Sequence, residues 1–313
     1  MPPAISSHGT PRAEPAAAGV DVRSRPKALA YLALTKPRII ELLLITTVPM
    51  MVVAEKGLPS LWLMVATVAG GTLSAGGANA INMYIDRDID RLMDRTRNRP
   101  LVTGELTPRQ ALSFAVGIEA LSVAWLWFTV NPLSALLALG ACAFYVGIYT
   151  LWLKRRSTQN IVIGGAAGAA PVLIGWSSVT NTVAWPAVVG FLVVFFWTPP
   201  HFWALAIKYR TDYQAASVPM LPAVASLTRT SREMVIYTAI TVVCASGFGL
   251  VAEMGLLYHG VALLSGAGFL ALTVGLHRSA SPEGAMRVFS YSITYLSVLF
   301  LVMVADQLLR SGF

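Results

Sequence analysis

The sequence has few charged residues and almost no cysteine. Charged side chains make up 12% of its 313 residues, hydrophobic ones make up 56%, and the mean hydropathy is +0.65. One water-soluble core cannot bury that much apolar surface, which excludes an ordinary soluble domain. The two cysteines, Cys142 and Cys244, stand alone in apolar runs. Their isolation excludes a disulfide framework or a zinc site built on paired thiols.

Long apolar runs predict transmembrane helices. A helix needs ~20 mostly apolar residues to cross the hydrocarbon of a bilayer, and these runs do not alternate as the strands of a barrel would. The sequence therefore predicts an all-α, multi-pass membrane protein with about nine spans. The predicted spans are residues 39–55, 61–84, 110–130, 133–153, 161–178, 186–207, 234–252, 256–276 and 288–308.

Basic residues fall almost entirely on one side of this predicted membrane. The chain has 23 lysines and arginines, and all but Lys56 and Arg310 lie in the segments 1–38, 85–109, 154–160, 208–233 and 277–287. The positive-inside rule makes those segments cytoplasmic. We therefore expect a cytoplasmic N-terminus and a C-terminus on the outer side. The net charge of +8 then reflects membrane topology rather than nucleic-acid binding.

The N-terminal residues differ in composition from the rest. Residues 1–30 are rich in alanine, proline and charge, and the first long apolar run starts only near Ile39. This pattern predicts a disordered cytoplasmic tail rather than a cleaved signal peptide. Residues 31–313 are predicted to form one transmembrane domain.

Two cytoplasmic segments are longer than a helix connection needs. The first long loop (residues 85–109) follows the second span, and the second long loop (residues 208–233) follows the sixth. Each has about 25 residues, a length that usually carries function. Their matching positions in the two halves of the chain suggest a weak pseudo-repeat.

Oxygen-bearing side chains recur every fourth residue from the end of the second span into the first long loop. That spacing places them on one face of a helix, and carboxylates on one face suit Mg²⁺ together with substrate phosphate oxygens. A solvated, salt-bridged helix would show a similar pattern. Carboxylates at the end of an apolar span, however, need a cation or partner. The predicted metal ligands are Asn82, Asp86, Asp90 and Asp94.

Basic residues crowd next to these carboxylates. Arg95, Arg97 and Arg99 lie in one short segment, and guanidinium groups bind phosphate oxygens in a bidentate way. Anchoring to anionic lipid is the alternative. Further basic patches follow the fourth and sixth spans, and Asp212 lies four residues after Lys208. Taken together on one membrane face, these groups predict a site for a metal-bound diphosphate. The two patches are Lys154, Arg155 and Arg156, and Lys208 with Arg210.

The loop motifs resemble a known family. NxxxDxxxD followed by RTRNRPL, which begins at Asn82, resembles the first signature of the UbiA superfamily of intramembrane prenyltransferases. YTLWLKRRS, from Tyr149, resembles another block of that family, and the helix count agrees over nearly the whole chain. The stretch TPPHFWALAIKYRTDYQAASVPMLP, from Thr198 to Pro222, resembles the branch that farnesylates haem. Many superfamily members carry a D-x-x-x-D pair where this chain has Lys208 and Asp212.

The resemblance implies a reaction and a set of partners. It implies transfer of a farnesyl group from farnesyl diphosphate to a vinyl group of haem B, with addition of water, giving haem O for terminal oxidases. Mg²⁺ is the implied cofactor, and haem B is a substrate. The implied fold places the helices around a central apolar cavity capped by helical cytoplasmic loops, in a bacterial inner membrane. A downstream haem-modifying oxidase is a candidate partner besides the lipid bilayer, and nucleic acid is not expected.

The resemblance also implies roles for particular residues. Catalytic roles fall on Asp86, Asp90, Lys208 and Asp212. Diphosphate binding falls on Asn82, Arg95, Arg99, Lys154, Arg155 and Arg210. Candidates for contact with haem or the prenyl chain are His201, Trp203, Tyr145, Tyr149 and Trp197. Ordinary core packing is the alternative for each residue of this last set.

Two other functions remain open at this point. Another UbiA-type enzyme acting on an aromatic quinone precursor would share the metal and diphosphate motifs. A transporter would also combine glycine-broken apolar helices with polar residues. Carriers usually place acidic groups near the middle of the membrane, whereas the aspartates here lie at one edge. That placement favours an enzyme acting on an amphiphile.

Overall fold

The computed structural model describes residues 25–37, 40–279 and 281–312, and the side chains of residues 40–44 fall outside that description. All regular structure in these residues is helical. The α-helices are α1 (Lys27–Thr35), α2 (Ile40–Glu55), α3 (Leu61–Asp86), α4 (Pro100–Thr103), α5 (Pro108–Thr129), α6 (Pro132–Ala143), α7 (Asn160–Thr180), α8 (Trp185–Lys208), α9 (Arg210–Ala215), α10 (Leu221–Val224), α11 (Leu227–Val251), α12 (Leu256–Ser279) and α13 (Ala285–Ser311).

Most of these helices have the length and apolarity of membrane spans. Among the described residues, eight helical segments can cross a membrane by length and composition, and each matches a predicted span. Helix α2, with 16 residues, is shorter and matches the first predicted span. The expected all-α membrane protein with about nine spans is therefore confirmed.

Local sequence signals set where several spans begin. The Ser60 hydroxyl accepts a hydrogen bond from the backbone N–H of Leu63 at the start of α3. At the start of α5, Thr107 and Gln110 cap each other's backbone N–H groups, and Pro108 occupies the first helical position. These caps satisfy N–H groups that the helix itself leaves unpaired.

The spans pack in two neighbouring groups joined through α2 and α7. Helices α3, α5, α6 and α7 contact one another, as do α8, α11, α12 and α13, while α7 also packs on α2 and α8. Small residues permit the close approach. A Cβ atom added to Gly175 of α7 would lie 2.4 Å from the carbonyl oxygen of Thr47 in α2. Without a side chain there, the two helices pack backbone against backbone.

An apolar cavity of about 170 Å³ lies between α3, α6 and α7. Alanine and glycine form most of its wall. Along α3 the cavity extends from Gly71 to Asn79, a distance of about 12 Å at the helical rise per residue. Tyr145 lines the cavity as well, and Asn79 lies two turns from the end of α3 at Asp86.

The two long loops pack against each other and cap one end of the bundle. A single hydrophobic cluster contains Ile89 and Met93 of the first loop and Tyr213, Val218 and Met220 of the second. Both loops are largely helical, with a 3₁₀ turn and α4 in the first and α9 and α10 in the second. The capping loops expected from the resemblance are therefore present.

The N-terminal boundary differs slightly from the sequence-based prediction. Helix α1 begins at Lys27, inside the range 1–30 that was predicted to be disordered. Its buried residues Ala30 and Leu34 join a hydrophobic cluster with Ala80 and Met83 of α3, which orders these residues. Residues 1–24 of the predicted tail lie outside the described residues.

Candidate active site

Two buried aspartates form the centre of the candidate site. Helix α3 ends at Asp86, whose side chain is fully buried, and Asp90 follows in the 3₁₀ turn with 1% exposure. Each carboxylate is paired with a basic side chain. Lys154 Nζ contacts Asp86 Oδ2, and Arg99 Nη1 lies 2.6 Å from Asp90 Oδ2. Burial of these carboxylates is tolerable because a cation and hydrogen bonds offset the lost hydration.

The predicted helical stripe is only partly correct. Because α3 ends at Asp86, only Asn82 and Asp86 share a helical face, and Asp90 is placed by the 3₁₀ turn instead. The backbone becomes extended at Met93. Asp94 is consequently turned to the surface, where its side chain is 81% exposed and lies 3.2 Å from Arg97. The structure therefore does not bring Asp94 to the buried pair.

Lys36 lies beside the candidate site, although the sequence did not predict it as a site residue. Its Nζ donates hydrogen bonds to Asn79 Oδ1 at 3.3 Å and to Asn82 Oδ1 at 3.2 Å. Burial, and then the charges of Arg99 and Lys154, hold the pKa of Lys36 well below its ordinary value, while the two aspartates act in the opposite direction. In the sequence, Lys36 stands just before the first span and has the pattern of a topology signal. Only its contacts distinguish it.

The backbone at Lys36 is also unusual. Its φ angle is 51°, in the left-handed region, where it terminates α1. A lysine pays a conformational cost there. This turn lets the chain pass from α1 toward α2 while the ammonium group points at α3. Arg38, two residues further along the chain, lies outside the described residues.

A π-helical segment supplies the next side chains. Residues Phe144–Leu153 continue α6 with wide turns, and the N–H of Lys154 donates to the carbonyl of Tyr149 at 2.8 Å. Asn82 Nδ2 donates to Asp86 Oδ2 at 2.7 Å and to Thr150 Oγ1 at 3.2 Å, which ties α3 to this segment. Wide turns of this kind often occur at functional sites because they redirect side chains.

A second ion pair lies beside the buried centre. Arg155 donates two hydrogen bonds to Asp88, of 2.7 and 2.6 Å, and its Nη2 is also 3.6 Å from Asp86 Oδ1. The Arg155 guanidinium lowers the pKa of Asp88 to about 2. Asp88 was not predicted as a site residue. The pair keeps Arg155 next to Asp86.

The basic residues of the second long loop lie at the surface. Helix α8 ends at Lys208, and Tyr209 interrupts the helical geometry before α9 begins. Lys208 and Asp212 therefore do not share a helical face. Lys208 and Arg210 are exposed, and the nearest ring to Lys208 Nζ is that of Tyr209, at 5.6 Å. Neither side chain is brought to the buried aspartates.

Asp212 instead connects the two loops. Its Oδ2 accepts a hydrogen bond of 3.3 Å from the backbone N–H of Arg95. The exposed Arg95 side chain lies over the ring of Tyr209, 5.8 Å from its centroid. This contact draws the second loop across the first. It places Asp212 in a tethering position rather than at the buried centre.

The aromatic candidates divide into two groups. Tyr145 lines the apolar cavity and stacks on Tyr149, with ring centroids 5.2 Å apart. A Cβ atom on Gly164 would lie 2.4 Å from the Tyr149 ring, so the lack of a side chain at Gly164 leaves room for that ring. Both tyrosines therefore lie near the buried pair.

The other three candidates face different helices. His201 of α8 is stacked between Trp197, at 4.2 Å, and Phe289 of α13, at 4.7 Å, and its Nδ1 lies 2.7 Å from Ser292 Oγ. Trp203 is buried against Tyr237 of α11. None of the three lines the apolar cavity.

The buried pair has the donor atoms that a hard divalent cation requires. Asp86 Oδ1 and Asp90 Oδ1 are buried and have no hydrogen-bond partner, although Arg155 Nη2 lies 3.6 Å from Asp86 Oδ1. Mg²⁺ commonly binds through one or two carboxylates and completes its shell with water and phosphate oxygens. In the described part of the chain, no three His, Cys, Asp or Glu side chains converge. The residues thus fit a metal ion held jointly with a diphosphate.

Solved structures share this fold. A structure of digeranylgeranylglyceryl phosphate synthase aligns over 90% of this chain and 98% of its own, with a TM-score of 0.75 and 16% identity. A UbiA homologue from Archaeoglobus fulgidus, bound to DMAPP and Mg²⁺, aligns over 88% and 99%, with a TM-score of 0.61 and 21% identity. The fold is that of the intramembrane prenyltransferases.

Sequence comparison is more specific. Residues 43–302 match the model of the UbiA prenyltransferase family. The protoheme IX farnesyltransferase of Paenarthrobacter aurescens is 51% identical over 100% of this chain and 99% of its own length. Those of Parafrankia sp. and Streptomyces avermitilis are each 53% identical, over 92% and 90% of this chain and 93% and 94% of their own. The chain belongs to the UbiA prenyltransferase family.

Proposed function

We propose that this protein transfers the farnesyl group of farnesyl diphosphate to a vinyl group of haem B, with addition of water, and so makes haem O. Relatives named protoheme IX farnesyltransferase, which are 51% and 53% identical to this chain over nearly its full length, support this choice of substrates. The structural observation that carries the proposal is the pair of buried aspartates with their cations, two turns from an apolar cavity between membrane spans.

We propose that Asp86 and Asp90 hold Mg²⁺ through the oxygens that have no hydrogen-bond partner, with Asn82 orienting Asp86. When bound, Mg²⁺ neutralises charge on the diphosphate as it leaves. Three basic side chains contact these groups: Lys154 contacts Asp86, Arg99 contacts Asp90 and Lys36 contacts Asn82. Their N–H donors are in place to bind the diphosphate oxygens. Because negative charge on the leaving group grows as the C1–O bond breaks, these cations stabilise the transition state more than the ground state.

The apolar cavity is proposed to receive the isoprenoid chain. Alanine and glycine form most of its wall, and its position between membrane spans keeps the allylic cation away from bulk water. The ring of Tyr145, at the cavity wall, can stabilise that cation through its π face. Lys208, Arg210 and Arg95 are proposed to attract the diphosphate electrostatically at the rim, since all three are exposed.

The orientation follows from the distribution of charge. We propose that the end carrying the two long loops is cytoplasmic and that the chain resides in a bacterial inner membrane, with its C-terminus on the outer side. The diphosphate group of farnesyl diphosphate is charged and hydrophilic, so the substrate would reach the site from the cytoplasmic face. A haem-modifying oxidase acting on the product is a candidate partner.

The experiment is mass spectrometry of haem from membranes that contain the protein, supplied with haem B, farnesyl diphosphate and Mg²⁺. We expect a product heavier than haem B by one farnesyl group plus one hydroxyl, and none in the presence of EDTA. Unchanged haem B alongside prenylation of an added quinone precursor would assign a different acceptor. Uptake of either substrate into sealed vesicles without new product would favour a transporter.

A further inference from the structure

We infer that the packed far end of the apolar cavity sets the length of the isoprenoid that this protein transfers, and that Ile174 and Ala138 are the residues that stop the chain at farnesyl. The inference rests on the proposed function, since it concerns the cavity that is proposed to receive the isoprenoid. It goes further because it assigns residues to the choice among geranyl, farnesyl and geranylgeranyl diphosphate.

The direction of the helices shows which end of the cavity is far from the buried aspartates. Helix α3 runs toward Asp86, so Asn79 lies at the near end of the cavity and Gly71 at the far end. Helix α6 also runs toward the site through its wide-turn continuation, whereas α7 runs away from it. Among the cavity residues of α6 and α7, Ala138 and Ile174 therefore lie farthest from the site.

Side chains pack tightly at this far end. Ala138 and Ile174 form a buried hydrophobic cluster with Leu126 and Ala135, and each of these four residues is at most 5% exposed. Leu126 of α5 also packs closely on α3, since a Cβ atom added to Gly70 would lie 2.4 Å from its Cδ2 atom. The cavity therefore ends against a packed cluster instead of continuing along the helices.

Hydrogen bonds join α6 and α7 beyond this cluster. Ser134 Oγ lies 2.8 Å from Ser177 Oγ, and Asn131 Nδ2 donates to the carbonyl oxygen of Ser177 at 2.8 Å. Ser134 and Ser177 are fully buried. An isoprenoid that extended past the cluster would have to separate these buried polar groups, which costs more than the net value of their hydrogen bonds.

The length of the cavity matches a farnesyl group. Lys36 donates to Asn79 and Asn82, so a diphosphate bound there would place the C1 carbon near the level of these two amides. Along α3, Gly71 is about 12 Å from Asn79 and about 16 Å from Asn82. At ~1.3 Å for each carbon–carbon bond of an extended chain, geranyl is about 9 Å long, farnesyl about 14 Å and geranylgeranyl about 19 Å. Farnesyl therefore fills the cavity, geranyl leaves its far end empty, and geranylgeranyl is too long.

Ile174 and Ala138 offer variants with opposite effects. Ile174→Ala removes most of a side chain at the far end and should lengthen the cavity. Ala138→Leu adds a branched side chain there and should shorten it. A single methylene in a hydrophobic pocket changes selectivity by roughly 10- to 200-fold, so each substitution is large enough to change the preferred chain length.

The test supplies membranes containing the protein with haem B, Mg²⁺ and an equimolar mixture of the three diphosphates, and measures the haem products by mass spectrometry. Because the diphosphates compete in one vessel, the product ratios do not depend on how much of each variant is folded. The unmodified chain should favour farnesyl at least about tenfold over the other two. Ile174→Ala should raise the ratio of geranylgeranyl to farnesyl product at least about tenfold, and Ala138→Leu should raise the ratio of geranyl to farnesyl product by a similar factor.

Val172→Ala is the matched control. Val172 is a fully buried residue of α7 that faces α8, where a Cβ atom added to Gly190 would lie 3.1 Å from its Cγ1 atom, and it does not line the cavity. Both product ratios should stay within about twofold of those of the unmodified chain. Equal transfer of farnesyl and geranylgeranyl by the unmodified chain, or ratios in Ile174→Ala and Ala138→Leu that equal those of the control, would overturn the inference and leave the proposed function intact. Absence of prenylated haem with all three diphosphates would overturn the proposed function and the inference together.

Discussion

The two long loops follow apolar spans in matching positions of the chain, yet they treat their charges differently. In the first, α3 carries Asp86 into a fully buried position, and Lys154 from another helix meets it there. In the second, α8 ends at an exposed Lys208 that contacts no carboxylate among the described residues. A span can end in a buried acid only where partners are supplied. The presence of basic partners, rather than charge spacing, distinguishes the buried aspartates of the first loop from the exposed residues of the second.

The largest expected effect is at the buried carboxylates. Asp86→Asn and Asp90→Asn keep the side-chain shape but remove the metal-binding charge, and each should lower kcat/KM roughly 10²- to 10³-fold. Haem product formed in membranes measures the loss. Asp94→Asn in the same loop is the matched control, and we expect it to retain nearly full activity because Asp94 is 81% exposed. Equal losses in all three variants would show that the structural distinction between these aspartates has no functional meaning.

Lys36 should come next. Lys36→Gln removes a donor that can reach the diphosphate, and a hydrogen bond to a charged group is worth ~1.5–3 kcal/mol, so KM for farnesyl diphosphate should rise about ten- to a hundredfold. The KM for haem B should change by less than about twofold, since the substitution removes only a group proposed to bind the diphosphate. Steady-state kinetics with each substrate varied in turn separate the two. A rise confined to haem B would place Lys36 at the acceptor instead.

Asp212 should have a moderate effect that passes through loop contact. Asp212→Ala removes the acceptor for the Arg95 N–H, a hydrogen bond worth roughly 0.5–1.5 kcal/mol. We expect faster amide hydrogen exchange across the first long loop and a loss of activity of less than about tenfold. Unchanged exchange with a large loss of activity would argue for direct contact with substrate, as the resemblance implied.

The smallest effect should be at Lys208. Lys208→Gln removes an exposed charge, so the KM for farnesyl diphosphate should rise by about threefold or less at low salt, and the difference should vanish at high salt through screening. Kinetics at two ionic strengths measure it. A loss that salt does not remove would move Lys208 from the rim into the site, and the two loops would then be more alike than their burial indicates.

Much of the fold was predictable from the sequence, because apolar length decides which segments cross a membrane. The structure also brings Lys154 to Asp86 and Arg99 to Asp90, residues for which the sequence predicts metal and diphosphate binding. The place of Asp94 was not predictable from a four-residue spacing, since the spacing does not say where a helix ends. Lys36 was missed because its partners, Asn79 and Asn82, lie more than forty residues away.

The wide-turn segment Phe144–Leu153 makes the site sensitive to chain register. Each residue of an ordinary α-helix turns the chain by about 100°. Loss of a single residue from this segment would let it rewind to α geometry and swing Lys154 away from Asp86, even though every span would remain long enough for the bilayer. A one-residue deletion here would therefore abolish the contact between Lys154 and Asp86 while leaving membrane insertion of the spans intact.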